Sequence, residues 1–192
     1  GRARGLYGIF SEAVTIHPYT QMGNLALGAV ETGLLLSYIR NIAFKKIDDT
    51  PSAERQATVY YYAQLNPAPE RTVYAPALYR NLVCAIYDQA GLARQVLDAN
   101  SGATAPGGTS SEHTRLAMHM RSEIFNDAQI VVHQVGPDAR ALIAHHTRKL
   151  CEHRLAVVYV DLPMASAAAM RLASQLAGSD FLFAGVIPER QD

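Results

Sequence analysis

The sequence has no tryptophan, only two cysteines and no excess of charge of either sign. Cys84 and Cys151 lie in predicted helices and lack C-x-x-C spacing, so we expect buried thiols in a reducing compartment rather than a disulfide framework. Lysine plus arginine and aspartate plus glutamate number 17 each. This balance gives no overall field that would attract nucleic acid or an anionic membrane, so we expect neither partner.

A long hydrophobic run is also missing. The longest apolar stretch, residues 25–39, is interrupted by Gly28, Glu31 and Gly33 and is shorter than the roughly 20 residues that a membrane-spanning helix needs. No signal-peptide pattern precedes it. We therefore expect a cytoplasmic protein. Because the sequence begins with Gly1 and stops after "IPERQD", we also expect it to be a piece of a longer chain.

The periods of the apolar residues predict an α/β protein. The stretch "SEHTRLAMHMRSE" has a period of two and predicts a half-buried strand, with "NDAQIVVHQV" as its hairpin partner after a turn at Asn126 and Asp127. Further strands are predicted at "RQATVYYYAQL", "LAVVYVDLP" and "FLFAGVIPE", and the second of these is apolar enough for a central position. Helices are predicted at residues 23–38, 77–90, 138–153 and 166–177.

One low-complexity stretch, "DANSGATAPGGTSSE", divides the chain. It consists mainly of Gly, Ser, Thr, Ala and Pro and has too few apolar residues to form a core. We therefore divide the chain into a first half at 1–99, a linker or loop at 100–111 and a second half at 112–192. Both halves have the predicted order strand, helix, strand, helix, strand. This agreement indicates either a weak internal duplication or a long loop within one continuous sheet.

The strand end at "EAVTIHPYTQ" concentrates polar side chains where ligand sites of α/β sheets tend to lie. Pro18 favours an extended His17, so the chain should leave the strand there and direct His17 and Thr20 toward the next helix. Gln21 and the backbone amides around Gly23 and Asn24 would lie close by. These residues are the predicted binding site for a small anion. Alternatively, His17 and Gln21 cap the helix and brace the loop without any ligand.

The seven histidines do not predict a metal site. His145 and His146 are adjacent in a predicted helix and point about 100° apart, and the H-E-x-x-H spacing is absent. His113 and His119 are three strand alternations apart, which is too far for one ion. We therefore expect no metal cofactor.

The stretch "NLVCAIYDQAGL" resembles a helix of the GNAT superfamily of acyl-CoA N-acyltransferases, whose pattern is N-x-x-A-x-x-L-Y-x-x-x-G-F. Asn81, Ala85, Tyr87, Gly91 and Leu92 fall on this pattern or within one position of it. The resemblance implies a mixed-sheet GNAT-like fold in which Tyr87 is the catalytic acid that protonates the thiolate of CoA. The alternative is that Tyr87 covers the core with its ring and places its hydroxyl in water.

In the same family, a strand-to-helix turn with the motif Q/R-x-x-G-x-G/A holds the pyrophosphate of acyl-CoA. The turn "HQVGPDAR" has Gly136, but Pro137 lacks an amide hydrogen and Asp138 is negatively charged. The turn "TQMGNLALGA" has Gln21, Gly23 and a displaced alanine, and no acidic residue. The second turn is therefore the better expected site for acetyl-CoA or another acyl-CoA.

Nearly the whole chain resembles the C-terminal region of bacterial proteins that join an anti-sigma-factor-type, histidine-kinase-like ATPase domain to a GNAT-like region. The ATPase motifs themselves are missing from this sequence. The resemblance implies a regulatory or sensor module of a larger signalling protein, which binds acyl-CoA or another small anionic ligand without turnover. The alternative is an active acyl-CoA-dependent N-acyltransferase that uses Tyr87 as its general acid. Association of the chain with itself is left open.

Overall fold

The computed structural model describes residues 2–40, 54–101, 112–121 and 125–190. A turn of 3-10 helix, Arg2–Arg4, comes before the first strand. The elements in chain order are β1 (Gly8–Val14), α1 (Tyr19–Ala26), β2 (Val30–Ile39), β3 (Gln56–Gln64), β4 (Arg71–Ala75), α2 (Arg80–Gln89), β5 (Arg94–Asp98), β6 (Arg115–Arg121), β7 (Asp127–Gln134), α3 (Ala139–Glu152), β8 (Val157–Asp161) and α4 (Ala167–Ala177).

These strands form three hydrogen-bonded ladders, which we call the first, second and third sheets. The first sheet is antiparallel with the order β1-β3-β2, and the second is the parallel pair β4-β5. The third sheet has the order β6-β7-β8, in which β6 is antiparallel and β8 parallel to β7. Helices α2 and α3 provide the crossovers that the two parallel pairs need. The α/β class with mixed strand pairing is therefore confirmed.

Backbone contacts link these sheets to one another. The amide of Tyr74 in β4 donates to the carbonyl of Met164, which follows β8, at 2.8 Å. Residues 181–190, which we call the C-terminal segment, reach the first sheet through an antiparallel bridge between Gly185 and Gly33. The segment therefore continues the hydrogen bonding of β2 on the side away from β3.

Ion pairs hold the same segment to the other two sheets. The Glu189 carboxylate accepts from Arg71 at 3.0 Å and pairs with Arg94, whose side chain is fully buried. Arg190 lies 3.3 Å from Asp161 at the end of β8. The C-terminal segment thus contacts all three sheets, although it contains no regular strand of its own.

Two hydrophobic clusters account for most of the core. The larger lies between the third sheet and helices α3 and α4, and it includes Ile130 and Ile143. The other lies between the second sheet, α2 and the first sheet, and it includes Val73 and Tyr62. Tyr74 packs against the larger cluster while its neighbour Val73 lies in the other, because successive strand residues point to opposite faces. Strand β4 therefore lies between the two clusters.

The predicted helix at residues 23–38 is wrong over most of its length. Helix α1 ends at Ala26, Gly28 takes a positive φ of 78°, and β2 begins at Val30. The buried residues of β2 are Thr32, Leu35 and Tyr38. They recur every three residues because the β2-β3 pairing shifts register between 31 and 33 and between 35 and 39. These irregularities give a strand the apparent period of a helix.

The other predicted helices are confirmed as α2, α3 and α4, and Gly91, with φ 69°, follows the end of α2. Three predictions about the strands are wrong. Strand β8 was predicted to be central but is the terminal strand of the third sheet. The last predicted strand, "FLFAGVIPE", forms only the bridge at Gly185. Asp127 belongs to β7, where it pairs with Arg121, so it is not part of the turn.

Residues 102–111 of the predicted linker lie outside the described ranges, and the division into two halves remains a prediction.

Within the described ranges, every helix is too short or too polar to cross a membrane.

The bridge between Gly33 and Gly185 leaves no room for side chains. A Cβ on Gly33 would lie 2.7 Å from the carbonyl oxygen of Ala184, and a Cβ on Gly185 would overlap the backbone of Gly33. Gly185 also has a φ of 131°, which L-residues rarely adopt. Glycine is therefore required at both positions.

We predict that Gly185→Ala lowers the free energy of unfolding by more than about 3 kcal/mol, because it adds both backbone strain and a backbone clash. The matched control is Gly23→Ala in α1, where a Cβ would meet nothing within 4 Å. That change should stabilise the protein by about 0.5 to 1 kcal/mol. Urea denaturation of both variants measures the difference. Equal stabilities would contradict the role assigned to the bridge.

Candidate functional site

The predicted anion site lies in the turn between β1 and α1. β1 ends at Val14 and α1 begins at Tyr19, so His17 lies in the turn and not in the strand. Pro18 occupies the N-cap position, and among the described residues no side chain caps α1. The first turn of α1 also contains no acidic residue. The first amides of this helix therefore present their partial positive charge to an anion.

The side chain of Gln21 forms hydrogen bonds with the backbone of this turn. Its Nε2 donates to the carbonyl oxygens of Val14 at 3.1 Å and His17 at 3.2 Å. The ring of His17 lies 5.6 Å from that of Tyr19. The Gln21 amide therefore braces the loop, as the alternative from the sequence predicted, and its donor is already used.

The three remaining predicted ligand residues lie in α1. Thr20 and Gly23 are exposed, whereas Asn24 is buried. The Nδ2 of Asn24 finds no hydrogen-bond partner in the described parts of the chain. A buried donor without a partner costs about 1 to 3 kcal/mol. Of these three residues, Thr20 is the one that offers an exposed polar side chain to a ligand beside the first helix amides.

The turn before α3 is closed to anions. Asp138 occupies its N-cap position, and its carboxylate accepts from the Thr114 hydroxyl at 2.6 Å and the Thr114 amide at 2.9 Å. These hydrogen bonds lower the pKa of Asp138 to about 2. A Cβ on Gly136 would overlap the carbonyl oxygen of Glu112, so the segment before β6 lies directly against this turn. A fixed negative charge and a covered backbone leave no place for a phosphate.

The other two helix starts differ from each other. Ser166 caps α4, where its hydroxyl accepts from the Ala169 amide at 3.3 Å. Helix α2, however, begins after Tyr79 without a side-chain cap among the described residues or an acidic residue in its first turn. Its first residue, Arg80, donates from Nε to the carbonyl of Val96 at 3.1 Å. Sequence reasoning missed this second uncapped start, although the acid-free stretch "PALYR" after a strand was visible.

Asp138 also provides a test of stability against pH. Its folded-state pKa is about 2, below the ordinary value of 3.8, so it stabilises the folded protein fully above pH 4 and loses this contribution as the pH falls toward 2. We predict that Asp138→Asn lowers stability at pH 6 and flattens the decline between pH 4 and 2. Urea midpoints measured across this range check the result. Asp180→Asn, at an exposed loop position, is the control and should keep the wild-type slope.

Tyr87 lies inside the core formed by the second sheet and α2. Its side chain is 1% exposed, and its hydroxyl donates to the Sδ of Met164 at 3.5 Å. The guanidinium of Arg94 lies 5.6 Å from the centre of its ring. These contacts favour a packing role. The catalytic assignment of Tyr87 stays a prediction.

A polar cluster that the sequence did not reveal joins the first and third sheets. It consists of Glu12, Tyr38, Arg121 and Asp127, which we call the bridging cluster. Tyr38 donates to Glu12 Oε1 at 2.9 Å and accepts from Arg121 Nη1 at 2.8 Å, while Arg121 Nε donates to Asp127 Oδ1 at 2.8 Å. The guanidinium also lies 4.3 Å from the centre of the Phe125 ring. Asp127 is fully buried, whereas the side chain of Arg121 remains 29% exposed, so the carboxylate is the desolvated partner of this ion pair.

Tyrosines around the bridging cluster stay neutral. Burial raises the pKa values of Tyr38, Tyr60 and Tyr159 above the ordinary tyrosine value. The Tyr159 hydroxyl donates to the carbonyl of Leu36 at 2.7 Å and so also crosses from the third sheet to the first. Neutral hydroxyls and a closed ion pair suit a structural joint rather than proton transfer.

We predict that Arg121→Met destabilises the protein by about 3 to 5 kcal/mol, because it leaves the buried carboxylate of Asp127 without its counter-ion. Arg121→Met combined with Asp127→Leu should lose less than the sum of the two single changes. Thermal and urea unfolding measure both effects. The control is Arg115→Met, an exposed arginine of the same strand, which should change stability by less than about 0.5 kcal/mol. Strict additivity would show that the pair is not coupled.

Among the residues that the structure describes, no group of three or more His, Cys, Asp or Glu side chains comes together in a way that could hold a metal ion. The rings of His145 and His146 contact each other at 5.5 Å in an edge-on arrangement.

Comparison of the chain with protein-family models, with curated proteins and with solved structures gives no match.

Proposed function

We propose that this chain is a GNAT-like regulatory or sensor module that binds acyl-CoA or another small anionic ligand without turnover. The observation that carries the proposal is the uncapped start of α1, which has no acidic residue in its first turn. Exposed Thr20 and the neighbouring His17 add a hydroxyl and an imidazole to the helix amides. Helix starts of this kind bind phosphates through their amides and the helix dipole.

The absence of turnover is proposed from the surroundings of Tyr87. A general acid must reach the atom that it protonates, directly or through one water. The hydroxyl of Tyr87 instead lies in the core against Met164, with its ring beside Arg94. The alternative, an active N-acyltransferase, requires this hydroxyl to reach the thiolate of CoA.

The GNAT-like arrangement itself is part of the proposal. It is supported by the sequence resemblance and by the two parallel strand pairs, each joined through a helix. Strand β8 was expected to be central, and its terminal position in the third sheet counts against the GNAT-like arrangement. The resemblance also supports a cytoplasmic bacterial signalling protein with a histidine-kinase-like ATPase domain outside this chain, to which the module would report ligand binding.

Two charge-introducing variants test where the ligand binds. Thr20→Asp and Asn81→Asp each place a carboxylate on an exposed position in the first turn of an uncapped helix, α1 and α2 respectively. We predict that Thr20→Asp weakens acetyl-CoA binding about tenfold or more through repulsion and competition for the amides. Asn81→Asp should leave the affinity within about twofold. Isothermal titration calorimetry with acetyl-CoA, CoA and inorganic phosphate measures the affinities.

The possible results are distinct. Weakening by Asn81→Asp alone would move the site to α2, and no binding of acetyl-CoA at millimolar concentration would overturn the acyl-CoA proposal. Release of free thiol with a panel of amines, lost in Tyr87→Phe, would favour the acyltransferase instead. Binding without thiol release is the result that we expect.

A further inference from the structure

Helix α1 places its apolar side chains toward solvent. Tyr19, Met22 and Leu25 are exposed, as is Leu27 directly after the helix, whereas the buried residue of α1 is the polar Asn24. A surface helix normally has the opposite arrangement, with its apolar stripe on the core. The outer side of α1 is therefore an apolar surface without a partner in the described chain.

The face of the first sheet beneath α1 extends this surface. A small cluster of Ala13, Ala29 and Tyr61 lies on this face, and α1 runs from the end of β1 to the start of β2 across it. Ile9 is paired with Ala63 and Leu34 with Val59, so both point to the same face, and both are exposed. We call the combined surface the α1 face; it consists of Ile9, Tyr19, Met22, Leu25, Leu27 and Leu34.

The size of the α1 face matches a subunit interface. Its six side chains are between 45% and 81% exposed. Together they expose on the order of 700 Å², close to the roughly 800 Å² that each partner buries in a stable complex. Scattered single apolar residues are common on surfaces, but several large ones on one short helix and on the sheet face that it joins indicate an interaction site.

The charges of the chain favour a second copy as the partner. Helix α1 contains no charged residue at all, and basic residues are what a helix needs to lie on an anionic membrane. The chain has a formal net charge of zero, so two copies do not repel each other at long range. Glu31, whose pairing with Tyr61 places it on the same sheet face, is an exposed carboxylate beside this surface. The six apolar side chains themselves form a surface that is complementary to itself across a two-fold axis.

We propose that the α1 face is the interface of a homodimer in which two copies pack their α1 helices and first sheets against each other. This interface goes beyond the proposed anion site, with which it shares Tyr19 at the helix start.

Matched substitutions test the interface. Met22→Glu and Leu27→Glu place a charge on the α1 face, while Met120→Glu on β6 and Leu182→Glu on the C-terminal segment change the same residue types at similar exposure elsewhere. Sedimentation equilibrium of the 192-residue chain should show a dimer at about 100 μM. The first two variants should raise the dimer dissociation constant at least about tenfold, and the two controls should stay within about twofold.

Circular dichroism of each variant separates loss of the dimer from loss of the fold. Leu27 lies outside α1, so Leu27→Glu remains informative if Met22→Glu unfolds the helix. Several results would overturn the proposal. These are a monomeric wild-type chain at that concentration, equal weakening by all four substitutions, dissociation by the controls alone, or binding of the wild-type chain to anionic vesicles that Leu27→Glu abolishes while the chain stays monomeric.

Discussion

The backbone contact between Gly33 and Gly185 is the constraint on which the arrangement of the sheets depends. It allows the C-terminal segment to lie directly against β2, where any side chain at either position would overlap backbone atoms. From there Glu189 reaches Arg71 and the buried Arg94, so the end of the chain joins the first and second sheets. The C-terminal segment can join two sheets without forming a regular strand, because it is held by backbone hydrogen bonds and by buried ion pairs.

The packing around Tyr87, the candidate catalytic residue, includes the buried ion pair of Arg94 and Glu189. The guanidinium of Arg94 is neutralised by Glu189 and covers one side of the Tyr87 ring, while Met164 accepts from the hydroxyl. The bridging cluster around Arg121 joins the first and third sheets in the same way, with an ion pair inside a set of aromatic rings. In both places polar groups find partners within the protein, so they stabilise the fold and leave little chemistry available to a substrate.

Helix α1 differs from the rest of the structure because several of its polar and apolar groups have no partner in the described chain. Its first amides have no cap, its Asn24 amide has no partner in the described chain, and its apolar side chains face outward. A ligand would pair with the first amides, and a second subunit would cover the apolar side chains. The helix start and the outer side of this eight-residue helix share Tyr19, but Leu27 lies beyond the helix, so a change at Leu27 separates self-association from anion binding.

The sequence by itself determined the α/β class, three of the four helices and the closed turn at Asp138, because these depend on local period, caps and nearby charge. The strand from Val30 to Ile39 was decided by tertiary pairing, since its bulges against β3 give buried residues every three positions and imitate a helix. The bracing contacts of Gln21 were one of two alternatives in the sequence, and the two carbonyls that its side chain reaches are fixed by the folded turn. The contact of Tyr87 with Met164 and that of Tyr38 with Arg121 join residues 77 and 83 positions apart in the chain, which no local pattern reveals.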